Sequence, residues 1–323
     1  MEPTETALLL APRVDEAVAL IGSSRVTGTQ VRAFLAVARA GGFSAASERT
    51  GLSAASLHRS IGDLSLALGQ KLMEKRGRGV VLTRAGARRA RSFSLAMAEL
   101  RSGLSEVAAW QGRAAGRIVV GAMPLSRARW LPAAIAAFRP AHPGVGIAVI
   151  EGSFAEMIGP LRDGDIDFLL GALRTDEDLG DLTQEEVFID RPKIIMRSGH
   201  PLAGRTPSAQ DLTCYPWILP SLDTPLRRYW EEMLRNAGVT PPEVELECGS
   251  VLTAREIMLR TDALTLLSRD QLRVELDAGL LTETAPPSEV ARTIGVIRRK
   301  IWRPTAPQSA FFTILRDEAS HLS

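Results

Sequence analysis

Apolar residues recur at helical spacing where the globular part of the chain begins. The pattern predicts a helix with Thr29 as its N-cap, ended by Gly41-Gly42. Its apolar positions fall at i, i+3, i+4 and i+7: Val31, Phe34, Leu35 and Ala38. One face of this helix is therefore expected to be buried.

Two further short helices follow at close spacing. Ser44 is the predicted N-cap of the second helix, which ends before Gly51, and Ser53 is the predicted N-cap of the third. The third helix carries a single buried stripe: Leu57, Ile61, Leu64 and Leu68. Its opposite face is small, polar and basic at the N-terminal end, which suits entry into the major groove of DNA.

A β-hairpin is predicted directly after these helices, between Lys71 and Leu82. Its turn is Arg76-Gly77-Arg78-Gly79. Arginines at such a turn can lie beside phosphates or in the minor groove. The three helices and the hairpin together predict a winged helix-turn-helix.

Positive charge is concentrated in the same region. Between Arg49 and Arg91 there are ten basic residues and two acidic ones, a local net charge of +8, whereas the whole chain carries +2. A basic patch confined to one segment is typical of phosphate binding. Double-stranded operator DNA is therefore the predicted partner of this domain.

These residues resemble the LysR-type transcriptional regulators. The resemblance lies in the runs Phe43-Ser44-Ala45-Ala46, Leu57-His58-Arg59-Ser60-Ile61 and Leu72 to Val80. Ala54 and Ala55 depart from it, because the family often has Gln and Pro there, and His58 stands where Ser is common. The operator sequence therefore cannot be inferred from the resemblance.

The expected DNA contacts combine the predicted helix face with the resemblance. Arg59 is expected to be the main contact of the recognition helix. The full set of candidate DNA-binding residues is Ser44, Ser53, Ala54, Ser56, His58, Arg59, Ser60, Arg76 and Arg78.

A long helix from Thr83 to about Trp110 is predicted to join subunits. Its apolar positions alternate at spacings of three and four, which is the pattern of a coiled-coil seam. The seam consists of Ala90, Phe93, Met97, Leu100, Leu104 and Val107. The LysR-type resemblance favours a dimer through this helix, with a tetramer as a larger assembly; packing on its own chain is the alternative.

From Arg117 the pattern changes to alternating strands and helices, which predicts parallel sheets flanked by helices. The β-α-β-α-β order over 117–170 recurs in similar form over 191–267. This region resembles the periplasmic-binding-protein-like (type 2) effector domain of LysR-type regulators, seen in runs such as Glu151-Gly152-Ser153 and Leu161 to Asp167.

The predicted fold class is α/β overall, with an N-terminal winged helix-turn-helix that is rich in α-helix. The predicted divisions are an N-terminal extension over 1–26, in which Val14 to Ile21 is a candidate short helix, the DNA-binding domain over 27–84, the linker helix over 85–112 and the effector domain over 117–323. Lobe I is expected over about 117–190 and 291–323, and lobe II over about 191–290.

Polar residues at the predicted strand ends outline a ligand site. Hydroxyls and free backbone N–H groups at helix starts can hold a carboxylate or sugar hydroxyls, although each residue has plain N-capping as its alternative. The candidate effector-binding residues are Pro124, Leu125, Ser126, Gly152, Ser153, Ser221, Thr224 and Ser250. The run Gly121 to Arg127 also resembles the branch that includes galactose-binding-protein regulators, which makes a sugar or sugar acid the first candidate.

Other classes of function have little support in the sequence. The four histidines are scattered, no catalytic, metal-binding or cofactor-binding motif occurs, and Asp163, Asp165 and Asp167 are interpreted as turn residues. Cys214 and Cys248 are expected to be reduced thiols, and a cytoplasmic location without a membrane span is expected.

The predicted function is that of a ligand-responsive, homo-oligomeric transcriptional regulator without enzymatic activity. Its expected partners are operator DNA, a small-molecule effector and a second copy of the chain, with RNA polymerase as a further candidate. The alternative is a small-molecule-binding or enzymatic α/β protein whose N-terminal domain makes protein contacts.

Overall fold

The structure, a computed structural model, describes residues 5–23, 25–77, 79–111, 116–174, 179–222 and 224–320. The first element is a helix, α1 (Glu5–Ile21). A winged helix-turn-helix, a long helix and a two-lobed α/β region follow it. Arg78 lies outside the described residues.

Three short helices and a two-stranded wing form the winged helix-turn-helix. They are α2 (Gly28–Ala40), α3 (Phe43–Thr50), α4 (Ala54–Leu68), β1 (Met73–Arg76) and β2 (Gly79–Leu82). The strands pair antiparallel, with Met73 opposite Leu82. The helices close around Phe34, Leu57 and Leu64, which are fully buried. The predicted apolar stripes belong to this core or pack against it, except Ala38, which is half-buried and lies outside it.

The helix starts differ from the prediction at two of three positions. Thr27, not Thr29, caps α2, and Gln30 completes its capping box. Gly42 precedes α3, so Ser44 lies inside that helix and the prediction that Ser44 is its N-cap was wrong. Ser53 does cap α4, because its hydroxyl accepts a hydrogen bond from the Ser56 N–H at 3.1 Å.

Helix α1 packs against the long helix α5 (Arg84–Trp110) and runs antiparallel to it. A Cβ on Gly103 would lie 2.9 Å from a methyl carbon of Leu10, so the two helices approach closely there. The guanidinium of Arg13 pairs with Glu99 and Glu106, each at 2.8 Å. The prediction of an extension with at most a short helix was wrong because contacts distant in sequence stabilise α1.

The predicted seam on α5 divides into two parts. Phe93 is fully buried, and its ring meets that of Phe34 edge-on with 5.9 Å between the ring centroids. Ala90 and Met97 pack against the same core. Leu104 is 63% exposed. The first half of the seam therefore packs on its own chain, as the alternative interpretation held, and the second half is more open.

The two-lobed region contains the remaining elements. In chain order they are β3 (Arg117–Ala122), α6 (Trp130–Phe138), β4 (Gly146–Glu151), α7 (Phe154–Asp163), β5 (Phe168–Ala172), β6 (Leu182–Asp190), β7 (Lys193–Arg197), α8 (Ala209–Leu212), β8 (Ile218–Leu219), α9 (Pro225–Asn236), β9 (Leu246–Glu247), α10 (Val251–Met258), β10 (Thr265–Leu267), a 3₁₀ turn (Arg269–Leu272), α11 (Arg273–Asp277), β11 (Leu281–Thr284), β12 (Arg292–Arg299) and α12 (Ala306–Ala319).

Lobe I is built on a five-stranded sheet with the order β4-β3-β5-β12-β6. Strands β4, β3 and β5 are parallel, and β12 runs antiparallel to both of its neighbours. Phe138 and Phe311 cover one face of the sheet, and Met157 and Leu161 contribute to the cluster on the other. Strand β6 was not anticipated, because its sequence, LTQEEVFID, does not alternate strictly between apolar and polar residues.

Lobe II contains the antiparallel sheet β10-β7-β11 and the parallel pair β8-β9. Its core includes Trp217 and Trp230, whose ring centroids are 5.3 Å apart. The chain passes between the lobes twice, from Asp190 to Lys193 and from Thr284 to Arg292. These two connections form the hinge beside the cleft.

Gly86 offers a test of how the wing is joined to α5. A Cβ at this position would lie 1.9 Å from the carbonyl oxygen of Leu72, which accepts a hydrogen bond from the Thr83 N–H at 3.0 Å. Gly86→Ala should therefore lower the free energy of unfolding by about 1–3 kcal/mol, because the backbone must move. Urea unfolding followed by circular dichroism measures this change.

Gly62→Ala is the matched control, because Gly62 is also helical and a Cβ there would meet nothing within 4 Å. It should raise stability by about 0.5–1 kcal/mol through helix propensity. Equal stability of the two alanine variants would contradict the close approach of Leu72 to α5.

Candidate DNA-binding surface and effector cleft

The exposed N-terminal face of α4 is the candidate recognition surface. Leu57, Ile61 and Leu64 hold the helix on the core, so the other face points to solvent. Five of the predicted contacts on or beside α4 are exposed and one is half-buried. The exposed residues are Ser53, Ala54, Ser56, His58 and Arg59, and the half-buried residue is Ser60.

His58 lies flat against the ring of Phe43. The two ring centroids are 4.0 Å apart and the planes differ by 14°. Because Phe43 begins α3, this stacking ties the recognition helix to the helix before it. His58 thus has a packing role that sequence reasoning did not anticipate.

The other predicted DNA contacts lie on α3 and the wing. Ser44 is exposed on the first turn of α3, and Arg76 is exposed at the end of β1. The second wing arginine, Arg78, is outside the described residues. The +8 segment therefore spans α4, the wing and the first turns of α5.

Salt bridges connect the DNA-binding domain and α5 to lobe I of the same chain. Arg39, in the last turn of α2, lies 2.7 Å from Asp165, and Arg101 of α5 reaches the same carboxylate at 3.9 Å. Arg91 reaches Asp181 at 3.8 Å. These side chains are exposed, and exposed ion pairs contribute little each.

Arg13 of α1 makes a more buried connection to the effector domain. Its guanidinium also donates to the carbonyl oxygen of Arg303 at 3.3 Å, in the segment before α12. Burial lowers the pKa of Arg13, but hydrogen bonds to Glu106 and Glu99 and their charges outweigh burial and raise it. A single cation therefore joins α1, α5 and the effector domain.

A cavity of about 970 Å³ lies between the two lobes. Lobe I contributes the segments after β3, β4 and β5, and lobe II contributes the segments after β8 and β9. Seven of the eight predicted effector-binding residues line it: Pro124, Leu125, Gly152, Ser153, Ser221, Thr224 and Ser250. The carboxyl ends of strands thus meet at the cleft, as expected for this kind of sheet.

Ser126 was expected among these residues but does not line the cavity. It is fully buried, and its hydroxyl hydrogen bonds to the carbonyl oxygens of Met123 at 2.8 Å and Leu170 at 3.1 Å. The hydroxyl therefore fastens the turn after β3 to β5. A polar residue here correctly indicated the end of a strand, but its hydroxyl hydrogen bonds to backbone carbonyl oxygens and does not face a ligand.

Several hydroxyls of the cleft also make structural hydrogen bonds. The Ser153 hydroxyl donates to Glu156 at 2.8 Å within a capping box, and hydrogen bonds from the Ser153 backbone and hydroxyl lower the pKa of Glu156. Thr224 donates to the carbonyl oxygen of Ser221 at 2.8 Å. Ser250 caps α10 and accepts from the Thr253 N–H. N-capping and cleft lining coincide at Ser153 and Ser250.

Three arginines line the cavity that sequence reasoning did not select. Arg127 pairs with Glu151, the guanidinium carbon of Arg174 lies 4.6 Å from the ring centroid of Phe154, and Arg292 is the first residue of β12. Of the 39 lysines and arginines in the chain most are arginine, so a single arginine carried no signal. Only their common position at the cleft distinguishes them.

Two protein families match the two halves of this architecture. Residues 29–87 match the family described as "Bacterial regulatory helix-turn-helix protein, lysR family", and residues 111–320 match the "LysR substrate binding domain". The chain belongs to the LysR family. The two matched domains are the DNA-binding and effector-binding parts of a ligand-responsive transcriptional regulator, as predicted.

Curated LysR-family regulators are similar over most of the chain. The regulator GalR of Pseudomonas putida is 33% identical over 251 residues, which are 77% of this chain and 63% of GalR. The regulator PcaQ of Agrobacterium fabrum is 26% identical and is covered over 96% of its length, with 92% of this chain. The chain thus spans less than two thirds of GalR but nearly all of PcaQ.

Solved structures share the fold. Full-length OxyR from Pseudomonas aeruginosa has a TM-score of 0.64 at 20% identity, covering 91% of this chain and 94% of OxyR. Full-length LysG from Corynebacterium glutamicum, with bound effector Arg, has a TM-score of 0.61 at 17% identity, covering 91% and 98%. At these identities the likeness concerns the fold alone.

Two features are absent from the described part of this LysR-family chain. None of its helices is long and apolar enough to cross a membrane. No cluster of three or more His, Cys, Asp or Glu side chains there could hold a metal ion.

The buried position of Ser126 leads to a stability prediction. Ser126→Ala should lower the free energy of unfolding by about 0.5–1.5 kcal/mol, because the fold loses the buried hydrogen bond that the hydroxyl shares between the carbonyl oxygens of Met123 and Leu170, each of which keeps a backbone donor. Urea unfolding followed by tryptophan fluorescence measures it, since Trp130, Trp217, Trp230 and Trp302 belong to the two-lobed region.

The control is Ser44→Ala, at an exposed helical position. It should change stability by no more than about 0.5 kcal/mol. A Ser126→Ala protein as stable as the wild type would show that the buried hydroxyl is not needed to hold the turn.

Proposed function

We propose that this LysR-type regulator reads operator DNA through the exposed face of α4 and the wing. Arg59 is the principal base contact in the major groove, and Ser53, Ser56 and Ser60 add base or phosphate contacts. Arg76 and Arg78 contact the backbone or the minor groove. The observation that carries this proposal is the position of Arg59, which is exposed on a helix whose opposite face is buried in the domain core.

Ser44, Ala54 and His58 complete the proposed surface. Ser44 is exposed near the start of α3, where a hydroxyl can reach a phosphate. Ala54 offers a methyl group to thymine, because apolar contact with the thymine methyl needs no hydrogen bond. His58 is exposed but is stacked on Phe43, so it has less freedom to reorient than a side chain without such a contact.

Self-association is proposed through the second half of α5. Leu100, Leu104 and Val107 continue the seam beyond Phe93, and Leu104 is among the most exposed large apolar side chains. A two-fold dimer would place two recognition helices on two half-sites. The tetramer, contact with RNA polymerase and a cytoplasmic location belong to the same proposal through the family resemblance.

The interlobe cavity is the proposed effector site, and a sugar or sugar acid is the first candidate. A small molecule that prefers one arrangement of the lobes shifts the protein toward that arrangement by its differential affinity. The Arg39 and Arg13 contacts give this shift a route to the DNA-binding domain within one chain. We also propose that the chain has no enzymatic activity.

Removing the Arg59 side chain tests the DNA-binding proposal. Arg59→Ala should weaken binding to DNA fragments selected by the wild-type protein by about 5- to 150-fold, because a good base contact contributes about 1–3 kcal/mol. Fluorescence anisotropy with labelled fragments measures the affinity. Size-exclusion chromatography should show an unchanged oligomer.

Arg260→Ala is the matched control, because Arg260 is an exposed arginine of lobe II. Its affinity for DNA should equal that of the wild type. A salt titration distinguishes the alternative class, since binding through phosphates must fall steeply as ionic strength rises. Salt-independent binding, or undiminished affinity of Arg59→Ala, would count against the proposed surface.

A further inference from the structure

Helix α1 lies ahead of the region that matches the helix-turn-helix family. That region begins at residue 29, whereas α1 ends at Ile21. The structure nevertheless fastens α1 to α5 near both of its ends. Arg13 pairs with Glu99 and Glu106, and the guanidinium of Arg89 donates to the carbonyl oxygen of Ile21 at 3.5 Å. The two helices therefore form an antiparallel pair along most of α5.

One side of this pair is covered by lobe I. The guanidinium of Arg303, in the segment before α12, lies 3.5 Å from Glu16 and donates to the carbonyl oxygen of Pro12 at 3.5 Å. A Cβ on Gly164, at the end of α7, would lie 2.7 Å from the Cβ of Ala98. Lobe I thus contacts α1 at Pro12 and Glu16, and α5 at Ala98.

Helical geometry identifies the residues on the opposite side. Arg13 and Ala17 are buried positions of α1, and a Cβ on Gly103 of α5 would meet Leu10 and Arg13. The residue before each inward position is on the side of lobe I, as Glu16 is. The residue after each inward position is turned about 100° the other way. Because the helices are antiparallel, these following residues of both helices share the side away from lobe I.

That side presents an apolar surface drawn from both helices, which we call the α1–α5 face. The α1–α5 face consists of Ala11, Val14, Val18, Leu100, Leu104 and Val107. Val18 is 59% exposed and Leu104 is 63% exposed in the single chain. None of the six residues carries a charge. An exposed group of large apolar side chains is typical of a surface that contacts another protein.

We propose that the α1–α5 face of one subunit packs on the same face of a second copy, so that α1 is part of the dimer interface. This inference rests on the proposed self-association through α5 and extends it to a helix outside the family's matched regions. A second copy is the favoured occupant because the α5 half of the face continues the seam proposed to join subunits. A two-fold axis brings identical surfaces together, and two helices from each subunit then form a four-helix contact.

Coverage of α1 gives each effector domain a connection to the other subunit. Lobe I holds one side of α1 through Pro12 and Glu16, and Arg13 donates to the carbonyl oxygen of Arg303. In the dimer the second copy holds the other side of the same helix. A movement of lobe I therefore reaches the second subunit through α1 as well as through α5.

Charges placed on the α1 half of the face test the inference. Val14→Glu/Val18→Glu should raise the dissociation constant of the full-length dimer at least about 10-fold, because a two-fold interface loses the apolar contacts of four valines. Sedimentation equilibrium over a dilution series measures it. Glutamate favours a helix at least as well as valine, so α1 itself should persist by circular dichroism.

The matched control is Val274→Glu, because Val274 is 70% exposed on α11 and lies outside the α1–α5 face. It should dimerise as the wild type does. Leu104→Glu tests the α5 half and should also weaken the dimer. If Leu104→Glu weakens the dimer and Val14→Glu/Val18→Glu does not, the inference about α1 is overturned while self-association through α5 stands. A wild-type protein that stays monomeric at every concentration overturns both.

Removal of residues 1–22 separates an interface helix from a helix that blocks the interface. The shortened protein should dimerise more weakly than the full-length chain, because each subunit loses the α1 half of the face. Tighter dimerisation would mean that α1 occupies the place of the second copy, and this result would overturn the inference.

Thiol reactivity reports directly on coverage of the face. Val18→Cys, made with Cys214→Ser and Cys248→Ser, should react with iodoacetamide more slowly above the dissociation constant of the dimer than below it. Val274→Cys in the same background should react at one rate at both concentrations. Equal rates for Val18→Cys at both concentrations would show that the second copy does not cover α1.

Discussion

The organisation of the whole molecule depends on how the 27-residue helix α5 is covered. A helix of this length with apolar residues along one side needs packing partners, because helix propensity alone gives marginal stability in water. The DNA-binding domain covers its first half through Phe93, α1 covers another face at Gly103, and α7 approaches it, since a Cβ on Gly164 would lie 2.7 Å from Cβ of Ala98. Each covering element becomes fixed relative to the others through this one helix.

This arrangement gives the chain two kinds of connection between sensing and DNA binding. Exposed ion pairs, such as Arg39 with Asp165, are weak individually and are easily exchanged for water. Arg13 makes more buried contacts: its guanidinium pairs with Glu99 and Glu106 of α5 and donates to the backbone carbonyl of Arg303. The effector domain is thus attached through exposed ion pairs, the Arg13 hydrogen bond to Arg303 and the packing of α7 on α5.

Within the effector domain, the antiparallel strand β12 joins segments that are distant in sequence, as α5 does for the whole molecule. It lies between β5 and β6, so it completes the sheet of lobe I only after the chain has passed through lobe II. The first residue of β12 is Arg292, and the last residue of β6 is Asp190. These two side chains form a buried ion pair at 2.7 Å, which lies where the first crossing begins and the second ends.

Local patterns along the chain were enough to predict most of the individual elements and the class of protein. The spacing of Leu57, Ile61 and Leu64 predicted the recognition helix, the position of Ser53 predicted its N-cap, and the +8 segment predicted a phosphate partner, because periodicity, capping and charge density are properties of neighbouring residues. Other features follow from contacts between residues far apart in sequence, which no local pattern shows. Strand β6 forms because β12 pairs with it, α1 because α5 covers it, and Ser126 turns inward because Met123 and Leu170 offer it acceptors. Arg292 and Asp190 meet in the same way, since only folding brings together two residues that are 102 positions apart in sequence.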